Sequence, residues 1–302
     1  MIILGDYSVL CWQLYQRFLD ITKRVGSNSP LSAQIAKLMW ARHLNKGPVC
    51  IASPHLEYRI ILAMDTKFES GGYWRTEEIW NDEKIQELLV QYNRSGKYKG
   101  DRKPKSDEFL KLYDVGIEYI NIAGFAQLTE VGFEADDFAG LVCRRFKHLK
   151  EAGKINWDEQ LVLWTVDRDW SQLVNDSYKI IFANTRRPKE SEVCQNQLVC
   201  NSEVAKHTYW KYGAEITHPE ELLDIKVENG DWGDNLPPGE CSRIYMDLLN
   251  PCPISKYNLD LSFHEHVIQV DEELMGGNNL QMKHLADAVE LLENGKYRYF
   301  FT

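Results

Sequence analysis

The chain has 302 residues, 44% hydrophobic and 26% charged, with a formal net charge of -10. This is an ordinary folded-protein composition, long enough for one large or two modest cores. No run approaches the roughly 18 apolar residues that span a bilayer, so no membrane segment is expected. MIILGDYSVLCW, interrupted by Asp6 and lacking a basic leader, does not read as a secretory signal.

The predicted elements alternate along the chain. Residues 1–5 read as a strand and 8–20 as a helix entered after Asp6, with Ser8 as its cap. Another helix is expected at 30–45, and a strand at 59–64 ending on Asp65. From Gly71 to Lys105 runs a polar, aromatic and basic stretch with a helical piece near 82–92. Then follow a helix at 106–114, a strand at 117–122, a helix from Glu134 to Lys150, a strand at 160–166 and a strand at 178–183. Such alternation predicts an α/β fold with a mostly parallel sheet covered by helices. Beyond Arg186 the strand signal fades into a mainly helical region, with helices at 202–212, 219–225 and 280–293. A break falls at Pro237-Pro238-Gly239 and a strand at 266–270. The expected division is 1–190 as a core that includes a basic arch at about 71–105, and 191–302 as the C-terminal region.

The most informative feature is where the acids fall. Asp6 and Asp65 each follow an apolar run; Glu134-Ala-Asp136-Asp137 opens a helix; Asp167-Arg-Asp169 follows LVLWTV; Asp231-Trp-Gly-Asp234 sits in a turn-rich segment. Apolar runs that stop at Asp deliver carboxylates to one rim of a sheet, where open α/β folds keep their sites. Acids gathered there repel one another unless cations sit among them, and hard oxygen ligands suit Mg²⁺ or Mn²⁺ better than zinc. Taken singly each group has a plainer reading: acids complement a helix N-terminus, and Asp is a common turn residue. Their number and order make the divalent-metal reading the stronger one.

The net charge argues at first against a nucleic-acid partner, but charge is uneven. Between Asn93 and Lys105, Arg94, Lys97, Lys99, Arg102, Lys103 and Lys105 stand against Asp101 alone, a local +5. Seven scattered cysteines without a CxxC pair indicate free thiols in a reducing cytoplasm.

Leu4-Gly-Asp6-Tyr-Ser8, Ala63-Met-Asp65, Tyr98-Lys99-Gly-Asp-Arg102-Lys-Pro104, Glu134-Ala-Asp-Asp137, Thr165-Val-Asp-Arg-Asp169-Trp-Ser-Gln172 and Gly230-Asp-Trp-Gly-Asp-Asn235-Leu-Pro237 occur in that order. Together they resemble the 5′ nuclease family of flap endonucleases, polymerase I 5′-3′ exonuclease domains and bacteriophage ribonuclease H. Ser70-Gly-Gly-Tyr-Trp-Arg75 is most similar to the ribonuclease H branch. The likeness spans about residues 1–240.

The resemblance implies a PIN/5′-nuclease-like fold and a two-metal phosphodiester hydrolase leaving a 5′ phosphate. It carries two Mg²⁺ ions, replaceable by Mn²⁺, onto Asp6, Asp65, Glu134, Asp136 and Asp137 for the first ion. Asp167, Asp169 and Asp234 would serve the second, with Asp231 nearby. Lys99 would meet the scissile phosphate, Arg75 would be its companion and Arg102 a backbone contact, while Lys97, Tyr98, Lys103 and Lys105 complete the nucleic-acid surface. Gln172 falls at a position read as structural. Implied substrates are DNA with 5′ flaps or RNA–DNA hybrids, in primer removal or repair. The chain would act as a monomer in the cytoplasm (a host's, were it phage-encoded), with a sliding clamp or single-strand-binding protein as partner.

Two departures stand out. The 23 residues between Arg75 and Lys99 are more than the family usually places there. Asn235-Leu-Pro-Pro-Gly-Glu-Cys-Ser lacks the family's second glycine-containing turn, which puts duplex grip and a K⁺ ion in question. Two other functions share part of this pattern. A haloacid-dehalogenase-like phosphatase shares the strand-end DxD but expects it near the start of its domain. A non-cleaving nucleic-acid-binding relative would be expected to lose acids, and none is missing. Of the lesser signals, His264-Glu-His266 reads as an exposed strand pair, and Tyr297 to Thr302 as a buried tail or a partner-docking one.

Overall fold

The computed structural model describes residues 1–51, 58–184, 197–199 and 221–250. The domain division near 190, the helices expected at 202–212 and 280–293, the strand at 266–270, the histidine pair and the terminal tail lie outside the described residues.

Six strands form one sheet: β1 (Ile2–Asp6), β2 (Arg59–Ala63), β3 (Ala126–Leu128), β4 (Leu161–Trp164), β5 (Ile180–Asn184) and β6 (Gln197–Val199). Their order is β3-β2-β1-β4-β5-β6, parallel except for the antiparallel β6. Alternating residues divide between two cores, because successive strand side chains point to opposite faces. On one face Ile3, Leu62, Val162 and Trp164 pack with Leu10, Phe18, Trp40, Phe109 and Tyr119. Those partners come from α1 (Tyr7–Val25), α2 (Pro30–Ile51) and α5 (Asp107–Ile122). On the other face Leu4, Ile61, Ala63, Leu161 and Leu163 meet Phe138, Ala139 and Phe146 of α6 (Ala135–Glu151), together with Leu223 and Val227 of α7 (Glu221–Asn229). The expected α/β sheet covered on both faces is therefore what the chain forms.

Three local expectations are corrected. The cap of α1 is Asp6, whose Oδ1 accepts from the Val9 amide at 3.1 Å; Ser8 lies in the first turn. The strand expected at 117–122 is the end of α5. Phe109, Leu112, Gly116, Tyr119 and Ile120 are buried at helical spacing, and that stripe wins over the local alternation of Gly-Ile-Glu-Tyr-Ile. The strand that pairs with β2 comes later, at β3. Finally, the arch region contains α3 (Trp74–Asn81) as well as α4 (Glu83–Gln91), and Trp74, Ile79, Ile85 and Leu89 are buried in the main core. Its helical half is packed onto the body. The remaining described helix, α8 (Arg243–Met246), follows a 3₁₀ turn.

Gly116 is where α5 comes closest to the N-terminal helices. A Cβ there would lie 2.2 Å from the Tyr7 hydroxyl and 2.4 Å from the Trp40 indole, itself held by a 2.9 Å bond to the Leu112 carbonyl. Gly116→Ala is expected to lower stability by about 1–3 kcal/mol through overpacking, against a helix-propensity gain of about 1 kcal/mol. Urea unfolding checks this; an unchanged midpoint would contradict it.

Candidate active site

The sheet topology gathers the acids. The chain leaves β1 for β2 on one side and reaches β4 on the other, so the crevice above the C-terminal ends of these strands is a topological switch point. Asp6 is the last residue of β1 and pairs in register with Ala63, while Gly5 pairs with Trp164. Asp65 and Asp167 therefore stand just beyond the same edge. Asp136 comes from the first turn of α6, where helix dipole and unpaired amides favour negative charge.

Asp6, Asp136 and Asp167 each offer an oxygen, and these atoms all lie within 4.8 Å of one another. Their neighbours fix them. Asp136 Oδ1 accepts from the Trp170 indole at 2.7 Å, and Asp167 Oδ1 from the Asp169 amide at 3.1 Å. Asp65 bridges elements: its Oδ1 accepts from the Ala135 amide at 2.9 Å and its Oδ2 from Ser8 Oγ at 2.8 Å. None of these four carboxylates has a lysine or arginine in ion-pair contact among the described residues. The cavity they line has a volume of about 540 Å³ and also takes in Lys99, Arg102, Lys105, Asp169, Asp231, Asp234 and the exposed Trp12.

The other five acids have cations of their own. Arg75, only 1% exposed, lies beneath the crevice. It donates to Glu134 Oε2 at 3.0 Å, to Asp137 Oδ2 at 3.0 Å and to the Tyr245 carbonyl at 3.0 Å, and its other terminal nitrogen forms an ion pair with Asp137 Oδ1 at 2.8 Å. Asp137 also accepts from the Trp74 indole and the Glu134 amide. Lys99 pairs with Glu134 and lies 3.7 Å from Asp234, and Arg102 pairs with Asp234. Lys226 pairs with Asp169 at 2.5 Å and Asp231 at 2.7 Å.

Several expectations change accordingly. Arg75 is not on a phosphate-facing surface; it is the buried counter-charge of Glu134 and Asp137, because α3 packs against α6 rather than projecting. Glu134 and Asp137 stand behind the crevice, enclosed with that arginine. Tyr98 is buried too, its hydroxyl 3.0 Å from Glu134 and 3.1 Å from Asp234. Lys97, Arg102, Lys103 and Lys105 are exposed as expected, and Lys99 is partly so. Ser8, Trp170 and Lys226 are additions. Trp170 follows the DxD motif directly, but a lone lysine on a helix normally signals solvent and nothing local marked Lys226.

The arch and the last acid loop form one unit. The Asn235 side-chain Nδ2 donates to Ser95 Oγ at 2.9 Å and the Lys97 carbonyl at 2.8 Å, while the Lys99 backbone amide donates to the Asp234 carbonyl at 3.1 Å. Arg102 reaches the Gly233 carbonyl at 3.0 Å, and the Arg94 guanidinium lies 5.1 Å over the Trp232 ring. Lys99 (φ 54°) and Asn235 (φ 59°) both adopt left-handed backbone, which turns each chain at this junction.

Crowding is visible in the proton affinities. Burial, then the charges of Asp65 and Asp167, raise Asp6 well above the usual carboxylate range. Burial and Asp167 do the same to Asp136. Burial and Asp169 raise Asp167 to about 6. Burial would raise Glu134 as well, but Lys99 and Arg75 outweigh it and hold it below its ordinary value. Burial opposes charge on Lys226, yet Asp169 and Asp231 more than offset it and keep the ammonium protonated. An all-carboxylate set with elevated proton affinity, and with no cation in contact among the described residues, fits a hard divalent ion. Asp6, Asp136 and Asp167 are the residues placed to hold it, with Asp65 beside them.

The model of the 5′-3′ exonuclease N-terminal resolvase-like domain matches residues 82–203. The thermostable DNA polymerase I of Thermus thermophilus is 28% identical over 140 residues, covering 46% of this chain and 14% of the polymerase. DNA polymerase I of Mycobacterium tuberculosis is 28% identical over 153 residues, covering 51% and 15%. The matches thus span about a seventh of the length of these relatives. A solved bacteriophage T5 5′-exonuclease with divalent metal ions (zinc) bound is 17% identical with a TM-score of 0.45, over 95% of this chain and 88% of that one. A T5 flap endonuclease in complex with DNA and metal ions is 17% identical with a TM-score of 0.46, over 97% and 99%.

Two outcomes follow from the charge arrangement. Arg75→Ala strands two buried carboxylates and is expected to cost about 3–5 kcal/mol in metal-free protein. A midpoint in urea like that of the wild type would instead fit an exposed phosphate contact. The raised acids bind protons more tightly folded than unfolded, so their stabilising contribution is present at low pH and lost as pH rises through about 6, the value for Asp167. Mn²⁺ or Mg²⁺ competes with those protons. The gain in Tm on adding metal is therefore expected to be larger at about pH 7.5 than at about pH 5, and an equal gain at both would contradict the assignment.

Proposed function

Because this chain belongs to the 5′ nuclease family, we propose that it is a divalent-metal-dependent 5′-3′ exonuclease and flap endonuclease that hydrolyses phosphodiesters. The observation that supports this most directly is the convergence of Asp6, Asp136 and Asp167 in the switch-point crevice, with no lysine or arginine in ion-pair contact among the described residues. When bound, the ions (Mg²⁺ in this reading, with Mn²⁺ as substitute) would supply Lewis acidity toward the phosphate and lower the pKa of a water. The proposed substrates are DNA with a 5′ flap and RNA–DNA hybrids, the latter giving a ribonuclease H-type activity suited to primer removal.

The chain's own residues divide the remaining work. Asp65, oriented by Ser8 and the α6 amide, adds negative charge on the β2 side of the crevice. Lys99, partly exposed at the cavity wall, is the group placed to meet a non-bridging phosphate oxygen, exchanging its contact with Glu134 for the phosphate. Tyr98 and Arg75 would hold Glu134 in place while Lys99 moves. Arg102, Lys103 and Lys105 lie along one exposed stretch and supply sequence-independent backbone attraction. Lys99 acting on the transition state predicts that Lys99→Ala lowers kcat by about 100-fold or more while changing KM little; an equal loss in binding would make it a backbone contact only.

The test is cleavage of 5′-labelled flap, nicked and RNA–DNA substrates in Mg²⁺ or Mn²⁺, with Asp136→Asn as control. Cleavage of at least one, lost in the variant, is expected. No cleavage of any by the wild type in either metal would sink the nuclease reading.

A further inference from the structure

The two halves of the crevice are not alike. On the side of Asp6, Asp136 and Asp167 the carboxylates face one another with no ammonium or guanidinium in contact among the described residues. On the side of Asp169 and Asp231 a cation is already in place. Lys226 is 2% exposed, with its Nζ 2.5 Å from Asp169 Oδ2 and 2.7 Å from Asp231 Oδ2. Both oxygens are held by one ammonium.

The lysine is also fixed from behind. Its helix buries Leu223 and Val227 in the main core, and Leu222 is buried as well. The Gly230 amide donates to the Lys226 carbonyl at 2.7 Å, and the Gly239 amide to the Val227 carbonyl at 2.7 Å. The carboxylates it holds belong to the cavity wall itself. Asp169 is joined to the other half through the hydrogen bond its backbone amide donates to Asp167 Oδ1 at 3.1 Å, so the ammonium is part of the site, not a remote surface pair.

We propose that Lys226 is a resident counter-ion that makes the site unequal toward divalent ions. One ion binds tightly at Asp6, Asp136 and Asp167. A second can use Asp169 and Asp231 only against the fixed positive charge of Lys226, and therefore binds far more weakly. The physical reason is direct: the ammonium neutralises part of the charge that would attract the second ion and occupies the lone pairs that would bind it. Lys226 is in this sense a positioning residue, acting through the two acids. The proposal rests on the metal-binding reading given above.

The test counts ions without requiring turnover. Mn²⁺ binding is measured by calorimetry and by the electron paramagnetic resonance signal of free Mn²⁺, for wild type, Lys226→Met and Lys226→Arg. The wild type is expected to bind one ion at least about tenfold more tightly than the next. Lys226→Met keeps the length and apolar stem but takes the ammonium away from Asp169 and Asp231, and is expected to narrow that gap by about tenfold or more. Lys226→Arg should keep it. A salt bridge with a merely structural role would alter stability in Lys226→Met and leave the ratio of affinities unchanged, which would overturn the proposal. Two ions of equal affinity in the wild type would overturn it as well, and that measurement decides even if Lys226→Met fails to fold. A wild type that bound no Mn²⁺ would remove the metal reading and this assignment with it, an outcome distinct from two equal ions.

Discussion

Mutual repulsion of carboxylates at one sheet edge is the constraint around which this molecule is arranged. Nine acids meet at or just behind the C-terminal ends of β1, β2 and β4, and like charges so close in a partly buried setting cannot all ionise without compensation. The chain compensates some of them internally. Arg75 serves Glu134 and Asp137, Lys99 and Arg102 serve Glu134 and Asp234, and Lys226 serves Asp169 and Asp231. What is left uncompensated among the described residues, Asp6, Asp65, Asp136 and Asp167, marks where a cation would be drawn.

This division also explains why distant segments are tied together. Arg75 comes from α3, Glu134 from the entry to α6, and the carbonyl it reaches from Tyr245 near the end of the described chain. The 230–236 loop is joined to the arch by Asn235, Lys99 and Arg102. Placing a lysine at the crevice wall therefore depends on a loop more than a hundred residues later. A buried ion network of this kind adds little net stability by itself, since desolvation offsets attraction. It fixes which acids face the crevice.

Much of the site could be read along the chain. Apolar runs ending in Asp placed Asp6, Asp65 and Asp167 at a rim, because strand burial and the rim location of α/β sites are both expressed locally. The acid-rich start of α6 was legible for the same reason. Less legible was anything decided by side-chain partners. Arg75 and Tyr98 belong to a basic, aromatic stretch that reads as surface, and their burial depends on Ile79, Ile85 and Leu89 packing α3 and α4 onto the core. The end of α5 was read as a strand because Ile117 to Ile122 satisfies both periodicities over so short a window.

The sequence by itself determined the parallel sheet and which acids its rim gathers, since strand pattern, turn residues and carboxylate spacing are local properties. The tertiary structure alone decided how those acids are shared out. Whether a carboxylate faces the crevice or a cation depends on which helix packs beside it. That is why Asp136 and Asp137, neighbours in the chain, point to opposite fates: one to the Trp170 indole and the crevice, the other to Arg75 and the interior.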